Sequence, residues 1–221
     1  MEAFADAAFA IVLALTFLQE VPRSYVDLKA AAWGLIPFAI TFVVVVMIWT
    51  DHYRFFRRYG LRDPHTFYCN LLLLFLVMVF AFPLKFLFTA LFVMWVGPIG
   101  DLTPEELFLG SGPNDAYFII LFYSAGFGSI YATLWSMYRN ALKCSDELGL
   151  DDVERHATVT SIYNCLVYVA FAALSIALIV ITEIPPLAGL VYAGIGPAMF
   201  VLHFKRDRDH KKLVRERGLD A

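Results

Sequence analysis

Charge is scarce in this sequence. Only 17% of its 221 residues are Asp, Glu, Lys or Arg, against about 25% in ordinary soluble domains. Apolar residues make up 60%, and the mean hydropathy is +0.68. A soluble core could not cover that much Phe, Leu and Val, so the composition points to an integral membrane protein. Cysteine is scarce too. Cys69, Cys144 and Cys165 are an odd, scattered set, which excludes a disulfide framework and a CxxC metal spacing. Catalytic signatures are missing: there is no Walker A loop, no H-E-x-x-H, no G-x-S-x-G and no pair of intramembrane carboxylates. A carbonyl filter of the T-V-G-Y-G kind is also absent. Gly126-Phe127-Gly128 lies inside an apolar run with no strand before it. It suits close helix packing better than dinucleotide binding. His203 and His210 sit among the charges of the tail HFKRDRDHKK, which fit a solvated helix against anionic lipid head groups. No enzyme activity, resident cofactor, bound metal or nucleic-acid partner is expected.

What the sequence does have is long apolar runs. A helix needs about 20 apolar residues to cross a bilayer, and six runs meet that length. They cover about Ala3–Val21, Ala31–Trp49, Thr66–Val96, Ala116–Tyr138, Val159–Thr182 and Leu187–Phe204. The first has no basic residue ahead of it and no small-x-small cleavage site after it, so it reads as a span instead of a signal peptide. The fold class is therefore an all-α bundle of six transmembrane helices. Residues 1–204 form the membrane domain and 205–221 a basic tail.

Basic residues set the orientation. Arg54, Arg57, Arg58 and Arg62 follow the second run; Arg139, Lys143 and Arg155 follow the fourth; the tail carries seven more. Together these hold 14 of the 17 Lys and Arg. Cytoplasmic segments collect such residues, so both termini are placed in the cytoplasm, with the protein in the plasma membrane. Trp33 and Trp95 fall at outer ends, and Trp49 and Trp135 at inner ends, where aromatic belts belong. The third run is too long for a ~30 Å hydrocarbon core. Pro83 interrupts it, and a kink or break is expected there. Thr103-Pro104 opens a TPEEL stretch that reads as the start of a short interfacial helix.

The first run has two faces. At about 100° per residue, Ile11, Leu15 and Leu18 fall together, flanked by Ala7 and Ala14. Asp6 lies about 140° from Ile11. Ala3, Ala7, Ala10 and Ala14 form a small-residue stripe that admits another helix closely. From periodicity alone, lipid contact, packing and a pore role all stay open for the Ile11 face. The polar groups near span ends are Asp6, Asp51, His52, Arg54, Asn70 and Lys85. Ionisable groups at membrane depth are functional candidates by default.

Four stretches carry a resemblance. Phe4-Ala5-Asp6-Ala7-Ala8-Phe9-Ala10-Ile11 resembles the first-helix signature of the transmembrane protein 175 potassium channels, R-x-x-x-F-S-D. Trp49-Thr50-Asp51-His52-Tyr53-Arg54-Phe55-Phe56 is similar to the family's W-x-N-H-H-R-x-F. Asn70 to Phe75 with Phe82-Pro83, and Tyr131 to Tyr138-Arg139, match its later patterns. The pattern departs at Ala5 for the signature serine, at Asp51 and Tyr53, and in having no arginine ahead of Phe4. The resemblance implies a homotetramer of six-span subunits with four first helices around a potassium pore. It implies an apolar constriction at Ile11, Leu15 and Leu18. It also implies a bracing network of Phe4, Asp6, His52, Arg54 and Asn70, in which Asp6 and His52 could pair. Potassium enters as permeant ion, and anionic lipid is the expected partner of the tail. The departures leave two alternatives beside this reading: a proton-conducting or non-conducting member, and a membrane scaffold acting through the basic tail.

Overall fold

Residues 2–17, 22–99, 102–103 and 113–216 are described by the structure, a computed structural model. They are helical almost throughout. The helices are α1 (Glu2–Phe17), α2 (Tyr25–Tyr59), α3 (Pro64–Trp95), α4 (Pro113–Lys143), α5 (Asp152–Thr182), α6 (Pro185–Leu190) and α7 (Ile195–Glu216). A 3-10 turn, Val191–Gly194, links α6 to α7. Five stretches are long and apolar enough to cross a membrane: Tyr25–Tyr59, Pro64–Val93, Asp115–Lys143, Asp152–Thr182 and Leu187–Asp209. The first of the six expected spans is shorter. Its helix ends at Phe17 among the described residues, a rise of about 24 Å at ~1.5 Å per residue.

Several expected boundaries move, each for a physical reason. The arginine-rich stretch after Trp49 reads as a loop in the sequence, yet α2 continues to Tyr59. Its turns are amphipathic: Phe55, Phe56 and Tyr59 are buried while Arg54, Arg57 and Arg58 are exposed. Gly60 then takes a left-handed φ of 56°, and its N–H donates to the Phe56 carbonyl. That is the usual glycine stop after a helix. Similarly α4 runs on to Lys143, and α5 begins at Asp152 behind an Asp151–Glu154 capping box. The break expected at Pro83 is absent, because α3 runs unbroken through that proline. Membrane helices tolerate such prolines where the freed backbone group finds another partner. The last span is instead the interrupted one. Pro185 and Pro186 open α6, and the 3-10 turn separates it from α7. The tail boundary at 204/205 falls inside α7, which stays helical to Glu216. The helix expected from Pro104 lies outside the described residues, as does the Trp95 side chain.

The chain divides into two compact units. Met1–Arg54 with Leu74–Asp115 form the first, holding α1, most of α2 and the later turns of α3. In it, α1 lays Ala5, Ala8, Phe9, Val12 and Thr16 inward. The Phe9 ring lies 5.8 Å from His52 and Phe17 lies 5.2 Å from Phe38. Phe55–Leu73 with Ala116–Ala221 form the second unit. There Phe55, wholly buried, meets Tyr138 edge-on at 5.3 Å, and the Tyr59 hydroxyl pairs with Thr158 at 2.7 Å. Helices α4 and α5 come close at Gly128, where an added Cβ would stand 3.0 Å from the Ala172 Cβ. The close packing expected of this glycine is therefore found.

Asp63 ties two helices of the second unit together. It caps α3, accepting from the Thr66 backbone N–H at 3.1 Å and the Thr66 hydroxyl at 2.6 Å. From α4, the Asn140 amide donates to Asp63 Oδ2 at 3.1 Å. Partial burial opposes the Asp63 charge, but these three donors outweigh it and hold its pKa below the usual carboxylate range.

Two predictions follow from this packing. Gly128→Val forces a side chain against Ala172 and should cost ~1–3 kcal/mol, as overpacking does. Thermal unfolding of the purified protein reads it, and Ala172→Gly in the same chain should restore most of the loss. Asp63 behaves as a group with a depressed pKa. Its contribution is present above the unfolded-chain value and lost as pH falls through the lowered one. Asp63→Asn should therefore flatten the acid limb of melting temperature against pH. An unchanged acid limb would show that the cap carries no linkage.

Candidate functional site

The candidate site is the first helix. Its residues alternate between two environments with helical spacing. Ala5, Ala8, Phe9, Val12 and Thr16 are buried, and by rotation they share one sector of the helix. Ile11 is 53% and Leu15 49% exposed, and Ala3, Ala7, Ala10 and Ala14 are exposed with them. The chain thus covers one side of α1 and leaves uncovered the side carrying Ile11, Leu15 and the alanine stripe. Leu18, the third expected constriction residue, lies outside the described residues.

At the start of α1, Asp6 is exposed, and its Oδ1 accepts from the Trp49 indole N–H at 2.9 Å. The partner is Trp49 of α2, not His52. Trp49 in turn stacks on Tyr53 at 5.4 Å. An indole suits this place because it offers one donor on a broad apolar body. His52 is 1% exposed and faces the Phe9 ring, so it locks α1 by packing. Asn70, in the second unit, is 2% exposed, whereas Arg54 and Phe4 are exposed. Of the five expected bracing residues, Asp6 and His52 are thus both engaged at the α1–α2 contact, each with its own partner. The sequence places Trp49 in the aromatic belt and at the head of the W-x-N-H-H-R-x-F-like stretch, outside the expected bracing network. Its position three residues before His52, one helical turn away, was the available signal for its reach to the same helix.

Chemically, this arrangement fixes an apolar helix face without placing a charge on it. Asp6 points away from Ile11, and no group of three or more His, Cys, Asp or Glu among the described residues could hold a metal ion.

Comparison with known proteins is consistent across the chain. Residues 1–83 match the family described as "Endosomal/lysosomal potassium channel TMEM175". A protein of Marivirga tractuosa described as "Potassium channel" is 30% identical over 226 residues, covering 98% of this chain and 90% of its own. The crystal structure of the potassium channel MtTMEM175, a threonine-to-alanine variant bound to a nanobody–MBP fusion, superposes with a TM-score of 0.82. It shares 31% identity and covers 94% of this chain and 92% of that one.

The brace is open to test. Trp49→Phe keeps the ring and removes the donor. For an exposed pair the expected loss is about 1 kcal/mol or less. A double-mutant cycle with Asp6→Asn, read by thermal unfolding, should return a favourable coupling between the two. Strict additivity would refute the bond's role.

Proposed function

The chain belongs to the TMEM175 family, and we propose that it is a potassium-permeable channel whose narrowest point is an apolar neck contributed by α1. The family and its relatives are ion channels, not enzymes. One observation carries the neck assignment: the Ile11 and Leu15 side of α1 is left uncovered by its own chain, while the opposite side is packed. In the proposed assembly four copies surround an axis, and Ile11, Leu15 and Leu18 of each face it. The alanine stripe lets neighbouring first helices approach closely.

The mechanism follows from hydration. An apolar neck offers no carbonyl or carboxylate to replace the water that a cation sheds. Potassium holds its water less tightly than sodium, so it crosses at lower cost. When the neck is too narrow or too apolar to stay wet, it closes by dewetting. Potassium is the permeant species, and no cofactor is required. In this reading α1, though short, completes a six-span subunit of the plasma membrane with both termini cytoplasmic. The basic end of α7 then meets the anionic lipid face.

Planar-bilayer recording of the purified protein tests the neck. The reversal potential should follow the potassium gradient and ignore an imposed pH gradient. Ile11→Ser or Leu15→Ser should raise conductance or reduce potassium-over-sodium selectivity. A barrier lowered by ~1.4 kcal/mol gives about a tenfold faster crossing. Unaltered currents in both variants would rule the neck out, and a reversal potential that follows pH would identify a proton pathway instead.

A further inference from the structure

At the start of α3, on the second unit, three donor atoms converge that the channel reading does not use. His65 and Cys69 are four residues apart, so the helix stacks them on one face. His65 Nε2 and Cys69 Sγ are 3.5 Å apart. Ser136, from α4, brings its hydroxyl to 3.1 Å from His65 Nε2 and 3.9 Å from Cys69 Sγ. The three atoms form a small triangle with one N, one S and one O. His65 is exposed and Cys69 half-buried, so the triangle is reachable from outside the helix pair.

These separations have a specific meaning. A tetrahedral ion with a thiolate at ~2.3 Å and an imidazole nitrogen at ~2.05 Å holds them about 3.6 Å apart. The observed 3.5 Å is that distance without any movement of the backbone. The surrounding charges are compatible with a cation. Asp63, two residues before His65, places a carboxylate at the same end of α3. Arg139, one turn beyond Ser136, is drawn over the Trp135 ring at 5.2 Å.

We propose that His65, Cys69 and Ser136 form a binding site for a borderline-to-soft divalent cation of the Zn2+ or Cd2+ type. A thiolate and an imidazole select such ions over Mg2+ or Ca2+. Binding takes the ion from water, releases the Cys69 thiol proton to solvent and forms an S–metal bond and an N–metal bond. Ser136 is a weak third ligand, and water completes the shell. With two strong ligands the site is open and exchangeable, unlike the closed four-ligand site of a structural zinc. It clips α3 to α4 near the place where Asp63 and Asn140 already join them.

The test uses Cd2+ alone on the purified full chain carrying Cys144→Ser and Cys165→Ser, so that Cys69 is the sole thiol. The readout is the ultraviolet thiolate-to-cadmium charge-transfer band, titrated to saturation. The band should appear, and Cys69→Ser should abolish it. His65→Ala should weaken binding ~10-fold or more, in the range seen when a metal's partner is removed. Ser136→Cys puts sulfur where the weak oxygen stands and should tighten binding by about tenfold or more. A gain of affinity cannot come from misfolding, so this variant protects the test against that explanation. The site is overturned by a missing band, by His65→Ala binding as well as its parent, or by Ser136→Cys binding no tighter.

Discussion

A bilayer offers a peptide group nothing to hydrogen-bond to, and every feature of this chain answers to that constraint. The backbone satisfies itself in long helices, and the described residues contain no strand, only one isolated bridge between Ile99 and Leu102. The constraint is felt most where the helix fails. Between Pro185 and Gly194 the chain turns from α6 into a 3-10 turn, which loses part of the α ladder. Side chains fill the gap. Ser175 of α5 donates to the Ala188 carbonyl at 2.9 Å. Ser124 of α4 donates to Ser175 at 3.1 Å, and the Tyr192 hydroxyl donates to Ser124 at 2.8 Å. A line of three hydroxyls, those of Ser124 and Ser175 buried and that of Tyr192 half-buried, thus ends on a backbone oxygen of the irregular segment. The same serines and tyrosine would be misfits in an unbroken span.

The second consequence concerns what holds helices to each other. Lipid tails are as apolar as leucine, so burying leucine between helices gains little; close packing and interhelical hydrogen bonds must do more. Both occur within the second unit. Gly128 lets α4 reach Ala172 of α5, and Arg206 of α7 donates to Thr160 and to the His156 carbonyl of α5 at 2.9 and 2.8 Å. Arg206 also lies 5.7 Å from the Tyr163 ring centre. The tail therefore starts as an ordered helix fastened to α5, and a truncation near Phe204 removes packing as well as charge.

The apolar runs, their order and the face of α1 were legible from composition and a 100° step, because both are local properties. Gly128 was legible for the same reason. Helix ends were less so. Hydropathy sees only the apolar stretch, whereas α2 continues to Tyr59 because Phe55 and Tyr59 find partners on distant α4 and α5. Pro83 differs in the other direction: local rules allow a break or a kink at a proline, and α3 runs through it without a break. The pairings were the least legible. Only Trp49's place one turn before His52 hints at its bond to Asp6, 43 residues away, and nothing in the sequence joins His65 to Ser136, 71 residues away. Such contacts are set by how helices lie against each other, which no single-helix pattern contains.

The Asp6–Trp49 bond gains its importance from helical geometry. A pore lined by one helix depends on the rotation of that helix more than on its composition. Turning α1 by one residue, about 100°, would replace Ile11 on the proposed axis by Ala10 or Val12 and change the neck's width and wettability. Two independent contacts oppose that turn. Phe9 against His52 holds the packed side inward, and Asp6 on Trp49 holds the edge. Here the serine of the family signature is replaced by Ala5, which is wholly buried. Ala5 joins the packed side as a small apolar contact, which shifts the hold on α1 from hydroxyl bonding to fit. In the proposed channel, whose narrowest point is an apolar neck, whatever fixes the rotation of α1 therefore also fixes the neck.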